Sequence, residues 1–265
     1  MTMIDEKVTT RPPSGGGDLV DPLRPVIGLE RAMQSGLEVI PHSHPRGQLA
    51  YASEGVLRVT TDQGTWVVPP SQAVWIPGGI RHQVTAETDC TVRHLHIDPT
   101  AAARLPGQCS VLEVSSLLRE LILRVSRFGR LYPADGPEQR LVAVFLDELG
   151  ALQPSLLYLP LAQDRRVRRV MDGLMRQPDS EKGLDEWATE VGASGRTLAR
   201  LFQRETGMKF SEWRKQLRLQ EAVNRLARGE PVTEVALALG YRSPSAFVAM
   251  FRKTLGSPPG QYCRD

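Results

Sequence analysis

"LDEWATEVGASGRTLARLFQRETG" (residues 184–207) and "VTEVALALGYRSPSAFVAMFRKTLG" (residues 232–256) are two stretches that follow one pattern. In each, an apolar helix ends in "VG" or "LG", a short turn follows, and a second helix begins that carries "LARLF" or "FVAMF". Gly192 and Gly240 lie where the C terminus of a helix needs a left-handed residue. The pattern predicts two successive helix-turn-helix units and an all-α C-terminal region.

The sequence around these units extends the pattern. Between the units the chain reads "FSEWRKQLRLQEAVNRLARGEPVTEVA" (210–236), and it continues as "GYRSPSAFVAMFRKTLGSPPGQY" (240–262). This region resembles the DNA-binding domain of AraC/XylS-type transcription regulators, and the resemblance implies that residues 210–236 form the family's long linker helix. The resemblance implies a sequence-specific regulator that binds a double-stranded DNA operator and, if it is an activator, RNA polymerase. The sign of regulation stays open.

The resemblance also implies which side chains meet DNA, because the second helix of each unit enters a major groove in this family. Arg196 and Arg200 are four residues apart, hence on one helical face, and Arg can bond guanine O6 and N7 together. The first unit is therefore expected to set most of the sequence preference, unless these arginines only solvate an exposed face. The predicted base contacts are Arg196, Arg200, Ser245 and Ala249, and the predicted backbone contacts are Gln203, Arg204, Arg242, Arg252 and Lys253.

Charge is divided unequally along the 265 residues. Residues 159–265 contain 19 Lys and Arg against 13 Asp and Glu, whereas residues 1–158 contain 14 against 17. A basic half beside an acidic half indicates nucleic-acid binding at one end of the chain. No apolar stretch approaches the roughly 18 residues of a membrane span. Because the N terminus also lacks a secretory signal, a cytoplasmic protein without membrane contact is expected.

The N-terminal part has the periodicity of short strands. Between residues 24 and 98, segments such as "GQLAYA", "TWVVP", "QAVWIP" and "CTVRHLHI" are separated by Gly, Pro and "DQG" turns. This spacing is typical of a small antiparallel barrel or jelly roll. From residue 111 the period becomes helical, with apolar stripes in "VLEVSSLLRELILRVSRF" (111–128) and "PEQRLVAVFLDELGAL" (137–152).

Histidines are concentrated in the predicted barrel. "GLEVIPHSHPRGQLAYASEG" (36–55) contains His42 and His44, and "PGGIRH" (77–82) ends in His82. His42 and His44 alternate onto one face of a strand, and imidazole is a common ligand of Zn, Fe, Ni or Cu. The two motifs resemble those of cupins, which implies a metal or effector site. Its residues would be His42, His44, Gln48 and His82.

The chemistry of this site stays open at the level of sequence. Gln48 stands where the resemblance to metal-binding cupins implies Glu, which leaves a weaker and uncharged ligand. One alternative is a divalent metal, Zn, Ni or Fe, held by three histidines and water. The other is a metal-free polar lining that contacts an organic inducer.

Other residues of the barrel have two interpretations each. Tyr51, Trp66 and Trp75 are predicted as an aromatic wall of the effector pocket, with barrel core as the alternative role. His94 and His96 alternate onto one side of a strand and are interpreted as a packed or edge feature, or as reserve ligands.

These observations predict an α+β protein of two domains. The apolar helices between the domains favour a homodimer, with a monomer as the alternative. The predicted segments are a disordered tail over 1–20, a cupin-like antiparallel sensor barrel over 21–105, a helical linker or dimerisation segment over 106–155, and an AraC-type double helix-turn-helix domain over 160–265.

The predicted function is therefore a DNA-binding transcription regulator whose cupin-type domain senses a small molecule or metal. The tandem DNA-binding motif and Gln48 speak against an enzyme. Two alternatives remain: a constitutive DNA-binding regulator with a vestigial barrel, and a cupin-type metalloenzyme with an accessory domain.

Overall fold

The computed structural model describes residues 9–152 and 158–262 of the chain, which form two compact units. The N-terminal unit comprises Met1–Thr61 and Val68–Leu156. The C-terminal unit comprises Asp62–Val67 and Leu157–Asp265, so a short segment of the N-terminal half belongs to it. One unit is built mainly of strands and the other mainly of helices, which confirms the predicted α+β class.

The elements of the N-terminal unit follow one another as short strands and then helices. The strands are β1 (Thr10–Arg11), β2 (Val26–Met33), β3 (Glu38–His42), β4 (Gly47–Ala52), β5 (Leu57–Thr61), β7 (Gln72–Ile76), β8 (His82–Ala86), β9 (Cys90–Ile97) and β10 (Ser110–Glu113); β6 (Gly64–Val68) lies mostly in the other unit. The helices are α1 (Pro99–Ala102), α2 (Ser116–Val125) and α3 (Pro137–Ala151).

The strands of this unit form two sheets and not the closed barrel that the sequence predicts. One sheet contains β1, β3, β8 and β5 in that order, and the other has the order β10-β7-β4-β9-β2. Neighbouring strands are antiparallel, apart from the parallel pair β1 and β3. The consecutive strands β3 and β4 lie in different sheets, as in the two-sheet jelly roll that the strand spacing also allows.

The second sheet has a core face and a cavity face, because successive side chains of a strand point to opposite sides. On the cavity face, Gln48 of β4 pairs with His96 of β9. On the core face, Leu49 pairs with Leu95, and the side chains there pack with α2 and α3. Buried members of this core are Val26, Leu49, Tyr51, Ala73, Trp75, Leu95, Ile97, Leu112, Leu118, Leu121, Ile122, Val125, Tyr132, Val142, Phe145 and Leu149.

Helix α2 begins later than the apolar stripe over 111–128 predicts. Residues Ser110–Glu113 form β10, which pairs with β7. Ser115 then caps α2, because its hydroxyl accepts a hydrogen bond from Leu118 N (3.1 Å) and satisfies a donor that has no partner within the helix. The second predicted helix, over 137–152, corresponds to α3, which starts with a proline as expected.

The prediction of a disordered tail over 1–20 is wrong for residues 9–20. Strand β1 pairs with β3, and Gly17 O accepts a hydrogen bond from Arg46 N (3.2 Å). Bonds to distant residues thus order a segment whose own composition has no apolar periodicity. Residues 1–8 of the predicted tail lie outside the described residues.

The C-terminal unit joins helices to one pair of strands. Strand β6 pairs antiparallel with β11 (Tyr158–Pro160). The helices are α4 (Arg165–Arg176), α5 (Leu184–Glu190), α6 (Gly195–Thr206), α7 (Phe210–Ala227), α8 (Val232–Ala238), α9 (Pro244–Leu255) and α10 (Pro259–Tyr262). Its buried core centres on Leu174, Trp187, Leu198, Phe202 and Trp213, among others.

Both predicted helix-turn-helix units are present. They are the pairs α5–α6 and α8–α9, and the turns contain Gly192 at φ 67° and Gly240 at φ 74°. The long helix α7 ends at Ala227, because Gly229 at φ 83° breaks the helical path before α8 begins. Among the described residues, no helix is both long and apolar enough to cross a membrane.

Candidate effector site and DNA-binding surface

Three imidazole rings of the N-terminal unit form one cluster. His42 at the end of β3 and His82 at the start of β8 are register partners, with ring centroids 4.4 Å apart. The His44 ring centroid is 5.6 Å from that of His42 and 5.1 Å from that of His82. One ring nitrogen from each residue lies within 4.8 Å of the others. The structure thus brings together the three histidines that the sequence predicts; they are the three-histidine cluster.

Backbone carbonyl groups set the tautomer of these rings. In each ring, Nδ1 lies within hydrogen-bond distance of a carbonyl oxygen two residues away. These distances are 2.8 Å from His42 to Ile40 O, 2.6 Å from His44 to Arg46 O, and 2.9 Å from His82 to Ile80 O. A carbonyl oxygen only accepts, so Nδ1 donates in each case. A neutral ring then has its lone pair at Nε2, as in metal ligands whose other nitrogen is held by the protein.

Burial favours the uncharged form of His42, His82, His94 and His96. Removal from water lowers the pKa of His42 and lowers that of His82 to about 4. The same cause lowers the pKa of His94 to about 3 and that of His96 well below its usual value. Because an uncharged imidazole retains a lone pair, these rings are in the form that can bind a metal ion at neutral pH.

The amide of Gln48 lies between two histidines. One of its terminal atoms is 3.0 Å from His44 Nε2, and the other is 3.0 Å from His94 Nδ1. In the structure the amide oxygen Oε1 faces His44 Nε2 and the amide nitrogen faces His94 Nδ1. A neutral His44 that donates through Nδ1 accepts at Nε2, which requires the amide to be rotated by 180° so that its NH2 group faces His44. The amide oxygen then accepts from His94 Nδ1. Gln48, predicted as a ligand, is here a hydrogen-bonding neighbour of the cluster.

The other two of the chain's five histidines belong to the same site. His94 and His96 lie on the cavity face of β9, and the His96 ring centroid is 4.9 Å from that of His44. Both ring nitrogens of His96 are buried and, within the described residues, have no hydrogen-bond partner. The edge interpretation of this pair is wrong. Their alternation was visible in the sequence, but its meaning depends on the pairing of β9 with β4, which was not.

Glycines of the N-terminal segment cover these rings. A Cβ at Gly17 would overlap the His44 ring, and a Cβ at Gly16 would lie 2.9 Å from His96 Cδ2. The backbone therefore approaches the imidazoles more closely than a side chain would permit. Beside the rings is a small cavity whose lining includes Ser14, Arg31, Val39, His42, Gln48 and His94.

The loop between His44 and Gln48 is held by a buried arginine that no sequence motif singled out. Arg46 is fully buried and forms an ion pair with Asp98 (3.5 Å). Its guanidinium donates to the carbonyl oxygens of Leu19, Asp21, Arg24, Pro25 and His96. These hydrogen bonds connect the loop to the N-terminal segment and to the end of β9, and thereby position the neighbouring histidines.

The predicted aromatic wall does not border the histidines at two of its three positions. Tyr51 and Trp75 lie on the core face, and Trp75 Nε1 donates to Pro106 O (2.7 Å). Their alternative role as core residues is the correct one, because a step of one residue along a strand moves a side chain to the opposite face. Trp66 is buried in β6, in the segment that belongs to the C-terminal unit.

The donor set fits a divalent transition-metal ion. The cluster consists of imidazoles with no carboxylate among them, and His82 Nε2 is buried without a hydrogen-bond partner among the described residues. A ring nitrogen whose lone pair is shielded from water and accepts no hydrogen bond is free to coordinate a metal ion. Zn, Ni and Fe(II) all accept imidazole nitrogen, and three protein ligands leave a position for a further ligand.

The predicted contact residues of the first helix-turn-helix are exposed on α6. Arg196, Arg200 and Gln203 follow one another at spacings of four and three residues and form one stripe. Within the described residues the first two have no ion pair, whereas Arg204 pairs with Glu205 (2.8 Å). The two unpaired guanidinium groups are therefore available to an external partner.

The corresponding surface of α9 has different chemistry. Ser245 and Ala249 are exposed along the helix, and Arg252 and Lys253 are exposed in its last turn. Arg242, just before the helix, is exposed as well. This surface presents few groups that can read a base edge but several that can bind phosphate.

A β-sheet unit with a polar ligand site, joined to a helical unit with two helix-turn-helix motifs, defines a two-domain DNA-binding transcriptional regulator. A family model described as AraC-like ligand binding domain matches residues 24–186, and one described as helix-turn-helix domain matches residues 187–265. The chain belongs to the AraC family of transcriptional regulators.

Individual relatives have the same character. The chain is 38% identical over 221 residues to the HTH-type transcriptional regulator NimR of Escherichia coli. The aligned segment covers 83% of this chain and 81% of NimR. It is 35% identical over 103 residues to the regulator RipA of Corynebacterium glutamicum, covering 39% and 31% of the two chains. The solved structure of ToxT from Vibrio cholerae matches 90% of this chain and 98% of ToxT, with 11% identity and a TM-score of 0.39.

Proposed function

We propose that this regulator binds a divalent metal ion, Zn, Ni or Fe, at the three-histidine cluster and that the ion changes its affinity for DNA. The observation that supports this proposal most strongly is the arrangement that His42, His44 and His82 share. Each ring donates Nδ1–H to a backbone carbonyl, and one nitrogen of each lies within 4.8 Å of the others. Nε2 of His42 and of His82 is then left for a ligand, whereas Nε2 of His44 lies 3.0 Å from the Gln48 amide, which the ion would displace. A polar lining without a metal would not require three rings in the same tautomer.

The ion would act by stabilising one arrangement of the N-terminal unit. Its ligands come from β3, from the loop after β3 and from β8, and Arg46 ties that loop to the N-terminal segment and to β9. An ion that prefers this arrangement shifts the population toward it, to the extent that its affinity differs between the two states. Operator affinity changes with that population.

At the DNA end, Arg196 and Arg200 contact base edges in one major groove, and Ser245 and Ala249 face a second. Gln203, Arg204, Arg242, Arg252 and Lys253 contact the phosphate backbone. The exposed stripe on α6 and the cationic last turn of α9 support these assignments.

The regulator acts as a homodimer in this proposal. Leu117 on α2 and Val144 on α3 are 53% and 45% exposed, although both helices pack on the core of the N-terminal unit. Exposed apolar side chains on two adjacent helices suit an interface between two copies of the chain.

A second candidate effector is an organic molecule without a metal. The small cavity beside His42 has apolar walls, Val39 and Val84, next to polar groups of Gln48 and Ser14. The cavity itself measures about 10 Å³, so an organic molecule would enter only after these side chains move apart.

Elemental analysis of the purified full-length protein tests the metal, in parallel with the double variant His42→Ala/His44→Ala. Thr85→Ala, on the same strand as His82 but outside the cluster, is the matched control. We expect about one metal ion per chain in the wild type and the control, and loss of the ion in the double variant. Binding to a duplex selected from random sequences should change when a chelator removes the ion.

No metal after reconstitution with Zn, Ni and Fe(II) would exclude the metal and leave the organic effector. Metal without any effect on DNA affinity would make the ion structural. In either case the assignment of α6 as the base-reading helix would still stand, since it rests on separate residues.

A further inference from the structure

The three-histidine cluster lies at an end of the first sheet from which the chain passes into the C-terminal unit. His82 is the first residue of β8, and its register partner on one side is Thr61, the last residue of β5. On the other side it pairs with His42, the last residue of β3. Asp62, which follows Thr61, begins the part of the N-terminal half that belongs to the C-terminal unit. One peptide bond therefore joins a register partner of the cluster to the helical unit.

Residues 62–67, here called the inserted segment, are bonded to the C-terminal unit from their first residue onward. Asp62 O accepts a hydrogen bond from Gln163 Nε2 (3.1 Å), and Gln63 O accepts one from Leu161 N (2.9 Å). The remaining residues of the segment lie in β6, which pairs with β11. A shift of the inserted segment would therefore carry β11 with it.

Helix α7 is attached to this pair of strands by two buried side chains. Trp213 Nε1 donates to Pro160 O of β11 (2.8 Å), and Gln220 Nε2 donates to Thr65 O of β6 (3.4 Å). Seven residues, or about two helical turns, separate Trp213 from Gln220, so both lie on one face of α7. Because the Gln220 side chain is only 2% exposed, breaking its bond would leave polar groups without water, and α7 therefore follows the strands.

The same helix connects the two helix-turn-helix units. It follows α6 and precedes α8 in the chain, and it packs against both of them, while α8 packs against α9. The position of α7 thus influences the distance between the two recognition helices α6 and α9. Since both must reach major-groove segments about one DNA turn apart, that distance affects the affinity for an operator.

We infer that the inserted segment couples the histidine site to the DNA-binding helices, and that Gln220 is the positioning residue that transmits its movement to α7. The end of a strand ladder opens at little cost in free energy. An ion that joins His82 to His42 would stabilise the last pairs of the sheet, Thr61 included, and so favour one position of the segment. This inference rests on the proposed function, because it names the route by which the ion regulates DNA binding.

The test measures the affinity of the full-length protein for a duplex selected from random sequences, with and without saturating Zn2+, Ni2+ or Fe2+, each in turn. The affinity for the ion is measured on the same samples. Gln220→Leu removes the amide and keeps a buried side chain of similar size. Gln177→Leu, at an exposed glutamine of the same unit, is the matched control.

We expect Gln220→Leu to reduce the effect of the ion on DNA affinity about 3- to 30-fold, and Gln177→Leu to leave it within about twofold of the wild type. The affinity for the ion and the metal-free affinity for DNA should stay within about twofold of the wild type in both variants. A purely structural role of Gln220 would instead lower DNA affinity equally with and without the ion. That result would overturn the inference.

Failure of the proposed function would be recognised separately. A wild-type protein that binds none of the three ions, or whose DNA affinity ignores the bound ion, would overturn the proposed function and this inference with it. An effect of the ion that is equal in the wild type and in Gln220→Leu would overturn this inference alone.

A second variant covers the case in which Gln220→Leu fails to fold, as judged by circular dichroism. Gln163→Ala removes the bond to Asp62 O from an exposed side chain and leaves the core untouched. It should reduce the effect of the ion about twofold or more. An effect of the ion that Gln163→Ala leaves unchanged would then overturn the inference.

Discussion

The histidine site and the recognition helix α6 present polar side chains in opposite ways. The rings of the N-terminal unit are largely buried, and those of His42, His44, His82 and His94 are oriented by backbone carbonyls or by the Gln48 amide. Arg196 and Arg200 are exposed, with no ion pair to hold them among the described residues. The buried site is preorganised for a ligand of fixed geometry, whereas the exposed arginines keep the freedom to adapt to a DNA groove.

The two helix-turn-helix units have helices of the same lengths but different surface chemistry. Both consist of a seven-residue helix, a turn with a left-handed glycine, and a twelve-residue helix. The exposed face of α6 carries two arginines where α9 carries Ser245 and Ala249. Helices of the same length therefore do not imply that both units contribute equally to recognition of the operator sequence.

The largest expected effect is on the buried site. Gln48→Glu would place a carboxylate next to His44, where it offsets the charge of a divalent ion and adds a charged ligand. Retention of Zn2+ against a chromophoric chelator should rise about 100-fold, or about 2.7 kcal/mol. Gln34→Glu, at an exposed position of the same unit, should leave retention unchanged. A Gln48→Glu protein with wild-type retention would contradict the metal site.

Arg200→Ala is the corresponding test of the exposed surface. Loss of a guanidinium that bonds a guanine should cost about 1–3 kcal/mol of discrimination at one or two base pairs. Selection from randomised duplexes, followed by affinity measurements, would report it. Arg204→Ala should lower affinity for all sequences alike, since Arg204 is paired with Glu205 and is assigned to the backbone. An unchanged sequence preference of the Arg200→Ala variant would refute the assignment of Arg200 as a base contact.

A smaller effect is expected at His96, whose two buried nitrogens have no partner among the described residues. His96→Leu removes these unsatisfied groups, so the metal-free protein should gain about 1 kcal/mol in unfolding free energy. His94→Leu should instead destabilise it, because it deprives the Gln48 amide of its partner. Thermal unfolding of both variants would measure the difference. A destabilised His96→Leu would mean that the His96 nitrogens bind a partner in solution.

The smallest expected effect is that of Lys253→Ala. An exposed lysine on a phosphate should contribute about equally to all sequences, and its removal should reduce the salt slope of binding by about 1. Titration of one selected and one scrambled duplex at several salt concentrations would measure both. A loss confined to the selected duplex would show that Lys253 reads sequence.

Much of the helical unit could be predicted because its signals are local. The apolar spacing, the capping serines and the glycines after α5 and α8 each act within a few residues. The N-terminal unit was harder. Its strands could be located from the alternation of apolar and polar residues. The two-sheet arrangement and the ordered conformation of residues 9–20, however, depend on pairings between distant segments.

The candidate site shows the same division. His42, His44 and His82 lie in two short motifs that mark them in the sequence. His94 and His96 carry no such mark, and Tyr51 and Trp75 were placed on the wrong face, because only the pairing of β4 with its neighbours decides which side chains meet.

The sequence by itself determined the class of this protein: a tandem helix-turn-helix beside a histidine-bearing β domain, readable because each motif is contiguous along the chain. Only the tertiary structure decided the chemistry of the site. Register between strands that are distant in sequence makes His42 and His82 partners in one sheet and places His94 and His96 on the cavity face of the other, and the loop after β3 brings His44 beside them. A shift of one residue in that register would have turned the same side chains into the apolar core.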